Sequence, residues 1–292
     1  ADYARAAAEL TAVAGLFPRR AWPRAWRAEL ARDQGRYAEA LADFKSALEL
    51  EPRAAWVLAL SSRPLQALGR GPEALAALTR ATALSPREAW VYAWRGELAR
   101  TLGRREEAAA CFAEASQLDP KDPLAKAWWG AALRGLGRPA EALPKLDAAL
   151  ALAPKNAHAR QERGRCLLEL GRFAEGVSEF TRAAAADPKR GQAAEGADAT
   201  ALERLFARAV SAGAGPEARA WRGWARRRRG ALGPALADFR AARRSPLARL
   251  WEGEVLLRLG RVREAERALA AVNRSGENPF ARAWRGEALA RL

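Results

Sequence analysis

The sequence predicts an all-α protein, an α–α superhelix of antiparallel helix pairs, and three observations carry that prediction. Turn-type glycines recur at Gly35, Gly69, Gly103, Gly137 and Gly171, each 34 residues from the last. Prolines keep the same period at Pro18, Pro52, Pro86, Pro120, Pro154 and Pro188. Between them stand Ala40, Ala74, Ala108 and Ala142, then Phe44, Leu78, Phe112, Leu146 and Phe180, then Ala47, Ala81, Ala115, Ala149 and Ala183. Small, large, small at spacings of four and three marks one face of a helix. A fixed period of this kind signals a repeat array, not the one or two globular cores that 292 residues would otherwise suggest.

Taken in chain order, Tyr3, Ala6, Leu10 and Pro18 match only the second half of a unit. Five regular units follow. Each reads as helix, glycine turn, helix and proline-ended connection, as in Trp90 to Leu102, Gly103, Glu106 to Leu118 and Asp119-Pro120. The glycine closes the first helix, and proline cannot continue the second. The phase breaks after Pro188: the next anchor, Gly230, lies 59 residues beyond Gly171. Ala201, Leu202, Leu205, Phe206, Ala209 and Val210 have the pattern of a second helix, but Gly191 to Ala197 leaves too little chain for a normal first one. Residues 189–213 therefore read as a degenerate unit, between an array over 1–188 and a segment 214–292 holding two further units and a terminal first helix, Phe280 to Leu292. Beginning at Ala1 and stopping in mid-repeat, the chain reads as a fragment of something longer.

Composition removes other classes. No apolar run reaches the roughly 18 residues that would cross a bilayer, and no secretory signal opens the chain. The expectation is a cytoplasmic protein. Net charge is +16, but only six of the 50 basic residues are Lys, and the excess of Ala, Arg, Gly and Pro resembles the coding bias of a GC-rich bacterial genome. That weakens the charge as a pointer to nucleic acid. Cys111 and Cys166 fall inside helix-like segments and read as reduced, small apolar residues.

The 34-residue period, the run Gly35-Arg36-Tyr37 followed by Ala40, Phe44, Ala47 and Pro52, and a small eighth residue of the first helix (Gly96, Gly130, Gly164, Gly223, Gly253, Gly286) resemble the tetratricopeptide repeat family over nearly the whole chain. The resemblance implies a right-handed solenoid whose first helices turn their second and sixth residues into a concave groove. Helical angles agree with it: Trp90, Trp94, Glu97 and Thr101 share a side roughly 130° from the stripe of Val91, Leu98, Ala99 and Leu102. Ten of the 11 tryptophans, all but Trp129, then fall on this face. The expected groove residues are Trp22, Trp26, Glu29, Trp56, Trp90, Trp94, Glu97, Trp128, His158, Glu162, Trp221, Trp224, Trp251, Glu254 and Trp284. Because the sixth position is mostly Trp, neither an asparagine ladder nor the carboxylate clamp of chaperone-binding members carries over.

Two readings of the ladder stand side by side. The rings pack between successive first helices, or they anchor proline, aromatic, basic, sugar or base groups of a ligand. His158 with Glu162 reads as a surface pair. The arginines that follow the sixth position (Arg27, Arg95, Arg222, Arg285) are expected to pair with acids of the Ala-Asp-Phe type, such as Asp43 and Asp238. The run Arg226 to Arg229 reads either as an exposed helix end or as a phosphate or acidic-partner site.

No catalytic residue, metal site or cofactor is expected. One histidine leaves no His-rich metal site, and His158 and Cys166 lie about 80° out of phase on one helix, which removes a Cys-His pair. Phosphate-loop, dinucleotide and Cys-x-x-Cys signatures are missing from the sequence. The expected function is a non-catalytic scaffold whose groove holds an extended protein or peptide segment. The alternatives are a recruiting arm of a larger enzyme such as a glycosyltransferase, and a glycan or single-stranded nucleic-acid groove. Leu289 and Leu292 on a bare first helix also point to self-association through the end repeats.

Overall fold

A computed structural model describes residues 2–186, 198–274 and 278–292, and within them the chain forms seventeen α-helices and no strand. It divides into two compact units, Ala1–Arg138 and Pro139–Leu292. The first contains α1 (Tyr3–Leu16), α2 (Trp22–Asp33), α3 (Tyr37–Leu50), α4 (Ala55–Ala67), α5 (Gly71–Leu84), α6 (Ala89–Thr101), α7 (Arg105–Leu118) and α8 (Pro123–Gly135). The second contains α9 (Pro139–Leu152), α10 (Ala157–Glu169), α11 (Phe173–Ala186), α12 (Ala199–Ser211), α13 (Pro216–Arg228), α14 (Leu232–Ala241), α15 (Pro246–Arg258), α16 (Val262–Arg274) and α17 (Pro279–Arg291). Each unit is an all-α repeat fold in which neighbouring helices pack in pairs.

The periodic glycines stop the first helices as expected. Gly35, Gly69, Gly103, Gly137 and Gly171 all adopt φ of 74° to 79°, a left-handed turn open to glycine at no steric cost. The chain folds back on the open carbonyls: the Arg36 amide donates to Ala31 and the Gly35 amide to Arg32. Gly213, Gly230 and Gly260 take the same conformation and continue the series past the break in phase.

Within a repeat the two helices lock by a large residue on a small one. A Cβ at Gly96 would stand 2.8 Å from the Phe112 ring, one at Gly164 2.8 Å from Phe180, and one at Gly223 2.7 Å from Phe239. Phe44, Leu78, Phe112, Leu146 and Phe180 are all buried, with the alanines on either side of them. The series read from the sequence as small, large, small is therefore the core face of the second helices.

The expected loss of a first helix after Pro188 falls largely on residues outside the described ones. The second helix expected next is α12, whose Leu202, Phe206 and Ala209 are buried. Cys111 and Cys166 are both buried and outside any disulfide, and burial pushes Cys111 up to about 11, so it stays protonated and apolar at neutral pH.

Candidate functional site

The first helices of Ala1–Arg138 carry the sequence-predicted face with one side open. Trp22, Trp26 and Trp90 are 39%, 54% and 37% exposed, while Trp56, Trp94 and Trp128 are half-buried. Trp90 and Trp94 meet edge to face at 4.9 Å, and the Trp90 indole N–H donates to Glu88 at 3.0 Å. Trp128 lies 5.8 Å from the Phe112 ring and packs on Ala93, Ala115 and Ala125. Its apolar body is anchored in the core, and its remaining edge faces a groove.

That groove, about 290 Å³, runs across three successive first helices: Ser62, Arg63 and Gln66 of α4, Ala93, Trp94, Glu97 and Leu98 of α6, and Trp128 of α8, with Leu78 of α5 as its floor. The Arg63 guanidinium lies over the Trp94 ring, 4.4 Å from its centroid, a cation–π contact. Arg63 and Gln66 were not among the expected site residues. The signal was present, since the ninth residue of a helix lies about 20° from the second on the helical wheel, and Arg63 stands in the same column as Glu29 and Glu97.

The acids expected on the groove face are engaged by nearby arginines. Glu29 holds Arg32 at 2.9 Å, Glu97 holds Arg100 at 2.6 Å and Glu162 holds Arg165 at 2.5 Å, each three residues along its helix. Glu162, a partner of Arg165, is only 4% exposed and His158 is half-buried, so neither stands on the open surface expected of them.

The second unit corrects the ladder. Trp221, Trp224 and Trp251, expected in the groove, are core residues with at most 2% exposure. The cause is local packing: α13 rests on α11 as well as on α12. The Trp221 ring stands 5.4 Å from Phe180 and 6.0 Å from Phe206, and its indole N–H donates to Thr181 at 3.2 Å. Trp224 and Trp251 complete the cluster at 5.5 Å and 5.0 Å from Trp221. Glu254 is paired with Arg227, so it does not serve as a free groove acid either. Trp284 is half-buried and packs on the core beside Phe280.

The expected Arg–acid pairs form where the second helix supplies a carboxylate sixteen residues on. Arg27 grips Asp43 through two bonds of 2.7 and 2.6 Å, and Arg222 holds Asp238 at 3.0 and 2.5 Å. These bonds raise both guanidinium pKa values. Arg95 finds Cys111 at that spacing and takes Glu107, one turn earlier, at 2.7 Å; Arg285 pairs back to Glu266 at 3.0 Å. The basic run is likewise engaged and not an open phosphate site: Arg226 bridges Glu203 and Asp238, each at 2.9 Å, and Arg229 also reaches Glu203. Arg227 is 8% exposed, and burial lowers its pKa to about 10, with Arg258 and Arg228 adding repulsion. Arg228 stacks on Trp224 at 5.4 Å. No helix among the described residues is long and apolar enough to cross a membrane.

Three sequence profiles of the tetratricopeptide repeat match residues 24–53, 63–123 and 133–199, together more than half of the chain. No curated protein sequence is significantly similar to it. Among solved structures, YrrB, described as "a TPR protein with an unusual peptide-binding site", is 20% identical, with a TM-score of 0.55 over 62% of this chain and 93% of that one. MamA is 19% identical, with a TM-score of 0.51 over 58% and 92%. A tetratricopeptide repeat protein from Parabacteroides merdae is 16% identical, with a TM-score of 0.57 over 92% of this chain and 98% of that one. At these identities the likeness is one of fold.

Proposed function

This chain belongs to the tetratricopeptide repeat family, and from that premise we propose that it is a non-catalytic binding scaffold whose tryptophan-lined groove in Ala1–Arg138 holds an extended segment of a partner protein. The observation that carries the reading is the groove of about 290 Å³ across α4, α6 and α8, where Trp94 and Trp128 are half-buried and keep an open edge. Such rings bind well because their bodies are already fixed by the core, so little side-chain entropy is lost on contact. A groove crossing successive repeats suits an extended chain, whose alternate side chains enter successive notches. The peptide-binding site named for YrrB supports the reading through likeness of fold. Trp22, Trp26, Trp56 and Trp90 extend the same kind of surface. The test is capture of peptides selected from a random twelve-residue library: Trp94→Ala with Trp128→Ala should abolish it while helical circular dichroism and melting of the rest survive. Unchanged capture would refute the reading.

Self-association is a second reading, and one observation favours it. On α17 a Cβ at Gly286 would meet nothing within 4 Å, whereas Gly96, Gly164 and Gly223 at the same repeat position each face a phenylalanine. On α1, Leu10 and Glu9 stand at the second-helix positions taken elsewhere by Phe44 and Asp43. A second copy would therefore offer Leu10 to the open socket at Gly286 and Glu9 to Arg285. Light scattering at rising concentration tests it; a monomer of 31.6 kDa throughout would contradict it.

A further inference from the structure

Arg63 differs from the other charges in its column. The ninth residues Glu29 and Glu97 are each neutralised by an arginine three residues on, Arg32 and Arg100. Three residues after Arg63 comes Gln66, which carries no charge. Among the described residues no carboxylate pairs with Arg63, whose guanidinium lies over the Trp94 ring. Lying over a ring and not beside an acid, the guanidinium keeps its N–H donors without a charged partner among the described residues. A stacked guanidinium is held in one orientation, which prepares it for a two-pronged bond to a carboxylate in its own plane.

The rest of the groove has the same polarity. Gln66 is exposed with its amide uncommitted, and the indole N–H groups of Trp94 and Trp128 have no acceptor among the described residues, whereas the groove's own acid, Glu97, is already held by Arg100. Donors therefore outnumber free acceptors along this stretch, in a chain whose net charge is +16. Next to them Trp128, Leu98 and Ala93 form an apolar wall.

We propose that the groove selects an acidic polypeptide segment, with an Asp or Glu side chain gripped edge-on by Arg63 and a neighbouring apolar side chain laid against Trp128. This rests on the groove reading above and adds the chemistry of the partner. Arg63 acts by direct contact with the ligand, while Trp94 orients it. Lysine at position 63 would keep the charge and lose the fork, so Arg63→Lys should bind less tightly than the native chain and more tightly than Arg63→Gln.

The probe is a random twelve-residue peptide library selected on the intact chain, followed by Kd measurements on the best binders and their Glu→Gln or Asp→Asn counterparts. Selected peptides should share one acid next to an apolar residue. Arg63→Gln should weaken them about tenfold or more, the peptide's acid-to-amide change should do the same, and the two changes together should cost little more than either alone. Arg63 is exposed, so Arg63→Gln should keep its melting temperature and the comparison stays clean. Neutral peptides that ignore Arg63→Gln but lose binding with Trp94→Leu would overturn the acid anchor and leave the groove reading standing. Peptides indifferent to both substitutions would overturn both. Tighter, Arg63-dependent binding of an oligodeoxythymidine probe than of any acidic peptide would also overturn the proposal.

Discussion

In α4, α6 and α8 of Ala1–Arg138 the first-helix tryptophans keep an open edge, and an arginine lies against one of them. In α13 and α15 of Pro139–Leu292, residues at the same repeat positions are sealed into a cluster of six rings, Phe180, Phe206, Trp221, Trp224, Phe239 and Trp251. Identical side chains thus serve two ends. What separates them is the helix on which each first helix rests. A regular step of one repeat places each first helix beside the one before it and leaves the second and sixth residues half covered. After the break in phase, α13 reaches back to α11, and Trp221 fills the space against Phe180 and Thr181. A bulky ring therefore keeps an open edge where the repeat stays in step and is sealed where it does not.

The largest expected effect is on the sealed side. Trp221→Ala should cost about 3–5 kcal/mol, as for other fully buried aromatic truncations, and lower the melting temperature of Pro139–Leu292. Trp94→Ala should cost markedly less, because part of that ring is already in solvent. Equal losses in the two variants, measured by chemical denaturation, would erase the contrast.

A second pair of variants probes how the sealed side tolerates charge. Arg227→Met leaves Glu254 without its partner in a nearly dry site, and should cost about 3 kcal/mol. Adding Glu254→Leu should recover most of that loss, because removing both charges also removes the cost of burying them. A double variant no more stable than the single one would show that the pair contributes net stability.

The eighth residue of the first helix gives a smaller contrast with opposite signs. Gly96→Ala drives a methyl into Phe112 and should destabilise by about 1–3 kcal/mol. Gly286→Ala meets open space and should stabilise α17 by up to about 1 kcal/mol through helix propensity. Thermal melts of the two variants check it.

The smallest effect is electrostatic. The hydrogen bond from Arg226 holds Glu203 below the ordinary carboxylate range, with Arg229 adding to it. Its folded pKa lies below its unfolded one, so its contribution is present above about pH 4.3 and is lost as pH falls through the lower folded value. Glu203→Gln should therefore lower stability at pH 6 and have less left to lose between pH 5 and pH 3 than the native chain, to the extent that an ion pair near the surface allows. Parallel acid titrations of melting temperature would show it.

Much of the fold was legible in the sequence because period, turn and core depend on few residue types. Only glycine adopts the turn's backbone freely, so Gly35 and its equivalents marked the helix ends, and the pairs Gly96–Phe112 and Gly164–Phe180 kept the register visible. The site was legible in part. Helical angles put Trp94 and Trp128 on the side of their helices that lines the groove, but they assume that each helix sees the same neighbours. Trp221 and Trp251 sit on the expected face of their own helices and are covered by other elements, which no single-helix pattern reports. Glu162 is likewise buried where the pattern of its own helix pointed to the surface. Arg63 was within reach, since it shares a column with Glu29 and Glu97, yet its value comes from the charge missing at Gln66 and from the ring of a different repeat beneath it.

Nitrogen-15 indole spectra of the intact chain, with and without a peptide selected on it, separate the open rings from the sealed ones. The Trp94 and Trp128 indole N–H signals should exchange rapidly with water and shift on binding, while Trp221, Trp224 and Trp251 stay protected and unmoved. Shifts at Trp221 and Trp251 with none at Trp94 and Trp128 would contradict that division.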